Sequence, residues 1–437
     1  MNNRKRPELL SPAGNFEKLK TAILYGADAV YLSLKRFGMR CAADNFSEEE
    51  LALAVEYAHS RGVRVYLTLN TMPRENEYPE LRTTLEKIKD FGIDAFIIAD
   101  IGVLNTVKEI IPDAEIHIST QANAVSSADC RAWYGLGAKR VVLARELTLD
   151  EIKEIRRNIP DELELEAFIH GSMCISYSGR CLLSGFFTGR DANRGACTQP
   201  CRWNYKIRGV DESLKLNGEA EFDGGRRISE YEITEQKRPD VNIPITEING
   251  ETFIMSSRDT RTVEYIPLLV DAGIDSFKIE GRMKSAYYVA CTTNVYRMAL
   301  DACLCGNTEV NPLWLRELDS VSHREYGSGY YFSDSNKNAN TCKSTGYAKE
   351  KAYLATVLEY NNETALALCR QKNKFSVGDT VELLSPGRLG MKFTVKSLLD
   401  TSGKKIDAVP HPQMDFYMEM PFSVNTGDII RSSDMEE

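Results

Sequence analysis

Seven times before residue 171 the chain repeats one pattern: a short apolar or β-branched run, a polar break, then an amphipathic segment that stops at glycine or a turn. The runs are Glu8 to Leu10, Ala29 to Leu34, Val63 to Leu69, Ala95 to Ala99, Glu115 to Ser119, Arg140 to Leu143 and Leu165 to His170. Between them, FSEEELALAVEYAHSRG opens on acidic residues and closes on Arg61-Gly62, which suits the helix dipole and a glycine C-cap. SPAGNFEKLKTAILYG, ENEYPELRTTLEKIKDFG, SSADCRAWYGLG and TLDEIKEIRRNIP share that layout. Strands joined through such helices must lie parallel. Two later runs, Glu251 to Met255 and Ser276 to Glu280, offer an eighth strand, and the second precedes the helical pattern SAYYVACTTNVYRMALDAC. The expected class is α/β, a (β/α)8 TIM-like barrel over residues 1–335. A doubly wound sheet is the rival, but SPAGN stands where its glycine-rich dinucleotide turn would be.

Two segments depart from the rhythm. Residues 205–250 include GVDESLKLNGEAEFDGGRRISEYEITEQKRPD, rich in acids and poor in large apolar residues, which predicts an exposed excursion with a hairpin at Asn217-Gly218 or Gly224-Gly225. After the polar link SDSNKNANTCKSTG, residues 345–437 change to short alternating runs such as YLATVLEY, DTVELLS and KFTVKSLL, the pattern of a small C-terminal β-barrel. The net charge of −9 gives no global reason to bind a polyanion, so any nucleic-acid surface must be local. No stretch approaches the roughly 18 apolar residues of a membrane span and the start lacks an apolar signal core, so the expectation is a cytoplasmic protein with no membrane partner.

The most informative stretch is HGSMCISYSGRCLLSGFFTGRDANRGACTQPCRW, within a segment at residues 173–204. It gathers Cys174, Cys181, Cys197 and Cys201, while the other seven cysteines are scattered. In a barrel it follows the seventh strand and so lies at the C-terminal rim, where active sites are built. Four thiolates on a glycine-rich segment can hold either a tetrahedral zinc or a cubane iron-sulfur cluster. The spacing lacks the paired knuckles of structural zinc, and thiolate softness does not choose between the two. Four free buried thiols are the plain alternative.

At these residues the chain resembles a known family. Glu166-Ala167-Phe168-Ile169-His170-Gly171-Ser172-Met173-Cys174, continuing through Tyr177-Ser178-Gly179-Arg180-Cys181 to Ser184, resembles the signature of the collagenase-like peptidase family U-thirty-two. Glu8 to Asn15, Ile118 to Gln121 and Lys278-Ile279-Glu280-Gly281-Arg282-Met283-Lys284 are similar to further blocks of it. The resemblance implies a cluster-dependent, oxygen-independent hydroxylase. Its branch with a C-terminal β-barrel is tied to 5-hydroxyuridine formation at the tRNA wobble position, with prephenate required. It also implies a 4Fe-4S cluster on Cys174, Cys181, Cys197 and Cys201, the last chosen because residues 202–290 hold no cysteine.

The residues tolerate that implication. From Cys174 to Arg208 six basic residues, Arg180, Arg190, Arg194, Arg202, Lys206 and Arg208, face one acid, Asp191, and Phe186, Phe187, Trp203 and Tyr205 interleave with them. Cations beside aromatics suit tRNA phosphates and an unstacked base, although each arginine could equally pair with a neighbouring carboxylate. A dicarboxylate co-substrate calls for fixed guanidinium groups. Arg145, Arg258 and Arg282 lie at strand ends, with Glu146, Asp259 or Glu280 as their alternative structural partners. His170 is the candidate proton carrier, His117 reads as a barrel histidine and His323 as a tie between linker and barrel. Two other functions compete: a collagenase-like peptidase using Cys174 and His170, and a zinc-stabilised RNA-binding protein without chemistry. No H-E-x-x-H helix or G-x-S-x-G elbow supports proteolysis. A second subunit of the same family remains an open partner.

Overall fold

The computed structural model describes residues 6–39, 44–174, 176, 184, 188, 190, 195–199, 201, 221–223, 226–235, 238–248, 251–254, 257–333, 348 and 351–433. For 221–254 the description is of backbone alone. Of the sequence candidates, Cys181, Arg180, Arg194, Arg202, Phe186, Trp203 and Tyr205 lie outside the described residues.

All seven early runs form parallel strands: β1 (Glu8–Pro12), β2 (Ala29–Leu32), β3 (Arg64–Leu69), β4 (Ala95–Ile98), β5 (Ile116–Ile118), β6 (Arg140–Val142) and β7 (Glu164–Ser172). The eighth, β8 (Ser276–Ile279), pairs with both β7 and β1, and the parallel barrel closes. Helices α1 (Phe16–Leu24), α2 (Glu48–His59), α3 (Tyr78–Ile88), α4 (Ile101–Ile110), α5 (Ser127–Gly135) and α6 (Leu149–Arg157) follow the first six strands in turn. After the seventh come α7 (Ile266–Asp271) and, beyond β8, the long α8 (Ala286–Leu304). Their starts are written in the sequence. Ser47 and Thr148 form capping boxes with Glu50 and Glu151, and Asn15, Asp100, Ser126 and Ser285 cap with their side chains.

The run at Glu251 does not enter the barrel. Glu251–Ile254 joins Glu221–Asp223, Arg226–Glu235 and Arg238–Ile248 in a separate four-stranded antiparallel sheet. Its first antiparallel pair sets Asp223 opposite Arg226. The excursion therefore has its own backbone pairing, which its polar composition concealed.

Residues 353–432 form an eight-stranded antiparallel sheet that curls around Val357, Leu383, Phe416 and Met418. Its Phe375 to Asp379 turn bridges towards Val395 and Ala408. A buried ionic cluster docks this module on the barrel. Arg431 pairs with Glu317 at 2.6 Å and with Glu382 at 2.8 Å, and Lys351 pairs with Glu382 at 2.9 Å. Tyr25 adds a hydrogen bond to the Leu384 carbonyl at 2.8 Å. Among the described residues no helix is long and apolar enough to cross a membrane.

Candidate functional site at the barrel mouth

Inside the barrel two layers build the floor of the site. The lower layer is ionic: Arg140 Nη1 donates to Glu8 Oε1 at 2.6 Å and to Glu166 Oε2 at 3.2 Å. Lys278 Nζ donates to Glu166 Oε1 at 2.7 Å, and Tyr66 Oη to Glu8 Oε2 at 2.6 Å. Burial alone would raise the Glu8 carboxyl, but Arg140 and Arg64 outweigh it and hold the group at about 2. A buried carboxylate survives only with such partners. Above sit Tyr31 and Phe168. Lys278 lies 4.6 Å from the Tyr31 ring centre, and the Arg145 guanidinium 3.8 Å from that of Phe168.

The rim is tied together by the three strand-end arginines that the sequence singles out. Arg145 Nη1 donates to the Ser172 carbonyl at 2.7 Å and its Nη2 lies 3.6 Å from Glu280, so it spans the loop after β6 and the ends of β7 and β8. Arg282 is buried and donates to the Met39 carbonyl and to Thr68 Oγ1. Arg258 pairs with Glu325 at 2.8 Å rather than with Asp259, which Arg324 takes at 2.6 Å. Ser257 Oγ and Arg324 Nη2 both reach the Met173 carbonyl. The peptide just before Cys174 is thus fixed at the mouth.

His170 is not at this mouth. The register slips by one residue between Phe168 and His170, so His170 pairs with Ile279 and turns outward to α8. There its Nδ1 lies 3.2 Å from Tyr296 Oη, with Tyr288 and Tyr326 rings around it. Burial pushes its pKa down to about 3, so it stays neutral. The expected proton carrier thus lies among the tyrosines of α8. His117 is the barrel histidine expected, buried against Tyr66 with Nε2 2.8 Å from Glu115. His323 ties to the linker through paired backbone hydrogen bonds with Ala348.

Around the same rim several buried polar atoms find no partner among the described residues: Gln121 Oε1, Asn123 Oδ1, Arg145 Nε, Glu146 Oε2 and Arg258 Nε. Native interiors leave few such atoms, and each asks for an explanation. Burial also raises the Glu146 carboxyl. Gln121, Asn123 and Glu146 were absent from the sequence candidates, though Gln121 falls in the Ile118 to Gln121 block. A cavity of about 460 Å³ opens elsewhere, at the opposite end of the barrel, where Arg6 and Arg297 already pair with Asp28.

The thiols divide by environment. Cys130 and Cys291 are buried and pushed up to about 12, and Cys303 and Cys369 are raised by burial too. Cys174 is exposed, while Cys197 and Cys201 are half-buried. Cys197 Sγ accepts a hydrogen bond from the Gln199 N–H at 3.4 Å. These donors fit a thiolate-held group in their chemistry. Among the described residues, which exclude Cys181, no three His, Cys, Asp or Glu side chains are gathered to hold a metal ion. Arg190 is exposed beside this segment.

Family models match nearly the whole chain. The one described as peptidase family U32 covers residues 14–341 and its C-terminal domain covers 349–431. The tRNA hydroxylation protein P1 of Bacillus subtilis is 37% identical over 413 residues, 93% of this chain and 90% of that protein. The tRNA hydroxylation protein P of Haemophilus influenzae is 34% identical, covering 97% and 95%. A protein named collagenase, from Porphyromonas gingivalis, is 29% identical, covering 87% and 86%.

Proposed function

Because the chain belongs to peptidase family U32, we propose that it is a tRNA-modifying enzyme that hydroxylates the wobble uridine at C5 without molecular oxygen. The observation carrying this reading is the match to two tRNA hydroxylation proteins over at least nine-tenths of both chains. In it the barrel mouth receives the extruded base and prephenate is the co-substrate. Arg258, whose Nε has no partner among the described residues, offers its guanidinium to a carboxylate, and Arg145, held by Ser172 and Glu280, lines the same mouth. Arg282, already bound to Met39 and Thr68, shapes the wall. Arg180, Arg190, Arg194 and Arg202 supply phosphate contacts, and Phe186, Trp203 and Tyr205 stack on bases.

Cys174, Cys181, Cys197 and Cys201 would hold a 4Fe-4S cluster, which supplies electron transfer or a Lewis-acidic iron. The chain's own contribution is to fix the Met173 carbonyl and the Arg145 fork, so that the thiol segment and the mouth keep one geometry. Proteolysis has less behind it. Four histidines engage Asp94, Glu115, Tyr296 and the Arg324 carbonyl, and none of these contacts is to a serine or cysteine. Anaerobic purification with metal analysis tests the reading. About four irons per chain and a brown colour support it. One zinc and no colour would favour an RNA-binding protein without this chemistry.

A further inference from the structure

The turn after β5 carries two amide oxygens that the rest of the rim does not use. Gln121 Oε1 and Asn123 Oδ1 are both shielded from solvent, and no group among the described residues donates to either. A buried carbonyl oxygen without a donor costs about 1–3 kcal/mol. Two within three residues mark a place where the fold holds acceptors ready for an incoming N–H.

The turn is rigid. Ala122 N–H donates to the Ser119 carbonyl and Asn123 N–H to that of Thr120. Thr120 Oγ1 donates to the Leu143 carbonyl at 3.0 Å, and Ala144 N–H to that of Ala124 at 3.1 Å, which fastens the turn to the loop bearing Arg145 and Glu146. Asn123 sits in the left-handed region at φ 54°, and its Nδ2 donates to the Gln121 carbonyl at 3.2 Å. That bond uses the donor end of the amide and leaves its oxygen free to accept. Arg145, whose Nη1 is committed to Ser172, keeps Nε without an acceptor among the described residues.

We propose that Gln121 and Asn123 read the substrate base, their amide oxygens receiving the N3–H of uracil while Arg145 Nε donates to a flanking carbonyl. The inference rests on the tRNA reading above and adds the basis of base choice. Uracil presents a donor between two acceptors on this edge, the complement of what the turn and Arg145 offer. Cytosine has a lone pair at N3, which would face the amide oxygens and leave them unpaired. Enzymes that act on a base read its flipped Watson–Crick edge in this manner, and an unpaired buried group rejects the wrong substrate strongly.

The test uses the full chain and two stem-loop RNAs that differ only in U or C at the target position. Wild type should bind the U form at least about tenfold more tightly. Asn123→Gly removes the amide without straining the turn, since glycine adopts a positive φ freely, and Gln121→Met removes the other oxygen at similar size. Each should cut the preference several-fold and the double variant should abolish it, with a cooperative thermal melt retained. If Gln121→Met fails to fold, Asn123→Gly alone decides. A double variant that keeps the preference overturns the proposal, as does wild type binding both RNAs equally. Wild type that binds neither RNA sinks the tRNA reading instead.

Discussion

Single residues inside the barrel make acid sensitivity a property of the fold. His170 drops from 6.5 to about 3 on burial. Above pH 6.5 it is neutral in both states and costs nothing. As pH falls below that value the unfolded chain takes up a proton the native state refuses, and stability is lost progressively towards pH 3. The loss should reach about 1 kcal/mol by roughly pH 5.5. Denaturant titrations at the two pH values should show His170→Gln losing less than wild type, and an identical slope would contradict the burial argument. Glu8, held at about 2, adds its own loss only below its ordinary 4.5. The sequence displayed these residues but not their pairing: Glu8 and Arg140 are 132 positions apart. Glu8, Arg140, Glu166 and Lys278 meet only because the closed barrel register brings their strands together.

At the scale of elements, the end of β7 decides where the chemistry can sit. Alternation along Glu166, Phe168 and His170 puts all three on one face, and only the one-residue slip against β8 sends His170 the other way. No local signal announces that slip, so the strand was legible in the sequence and the direction of this side chain was not. Gly171 follows at φ 105°, and a Cβ there would lie 2.5 Å from the Glu280 carbonyl oxygen and 3.0 Å from Tyr288 Oη. Gly171→Ala should therefore cost more than about 1 kcal/mol and shift the Ser172 carbonyl that Arg145 grips. Thermal melting and binding of the proposed co-substrate, prephenate, report the two effects. Full retention of both would show that this junction is not the anchor described. The barrel strands and helix caps were legible because each is a local pattern. The orphaned Gln121 and Asn123 oxygens were not, because they are defined by what does not reach them.

Across the whole molecule, the C-terminal sheet behaves as part of the barrel and not as a tethered module. Its buried pairs join Arg431 to Glu317 and Glu382, residues 114 and 49 positions distant, a connection that composition could not suggest. Arg431→Met would leave Glu317 buried without its guanidinium, while Lys351 still pairs Glu382, at a cost of about 3–5 kcal/mol. Limited proteolysis should then release a C-terminal fragment that the wild type retains. An unaltered digestion pattern would mean that apolar packing alone holds the two parts.

The proposed hydroxylation of tRNA depends on the thiol segment that follows β7. Nucleoside analysis of bulk tRNA tests it most directly, in a bacterial host whose own genes of this kind are deleted and which carries either the wild-type chain or Cys174→Ala. Wild type should restore 5-hydroxyuridine-derived nucleosides, and Cys174→Ala, though present at the same level, should restore none. Restoration by Cys174→Ala, or its absence with wild type, would contradict it.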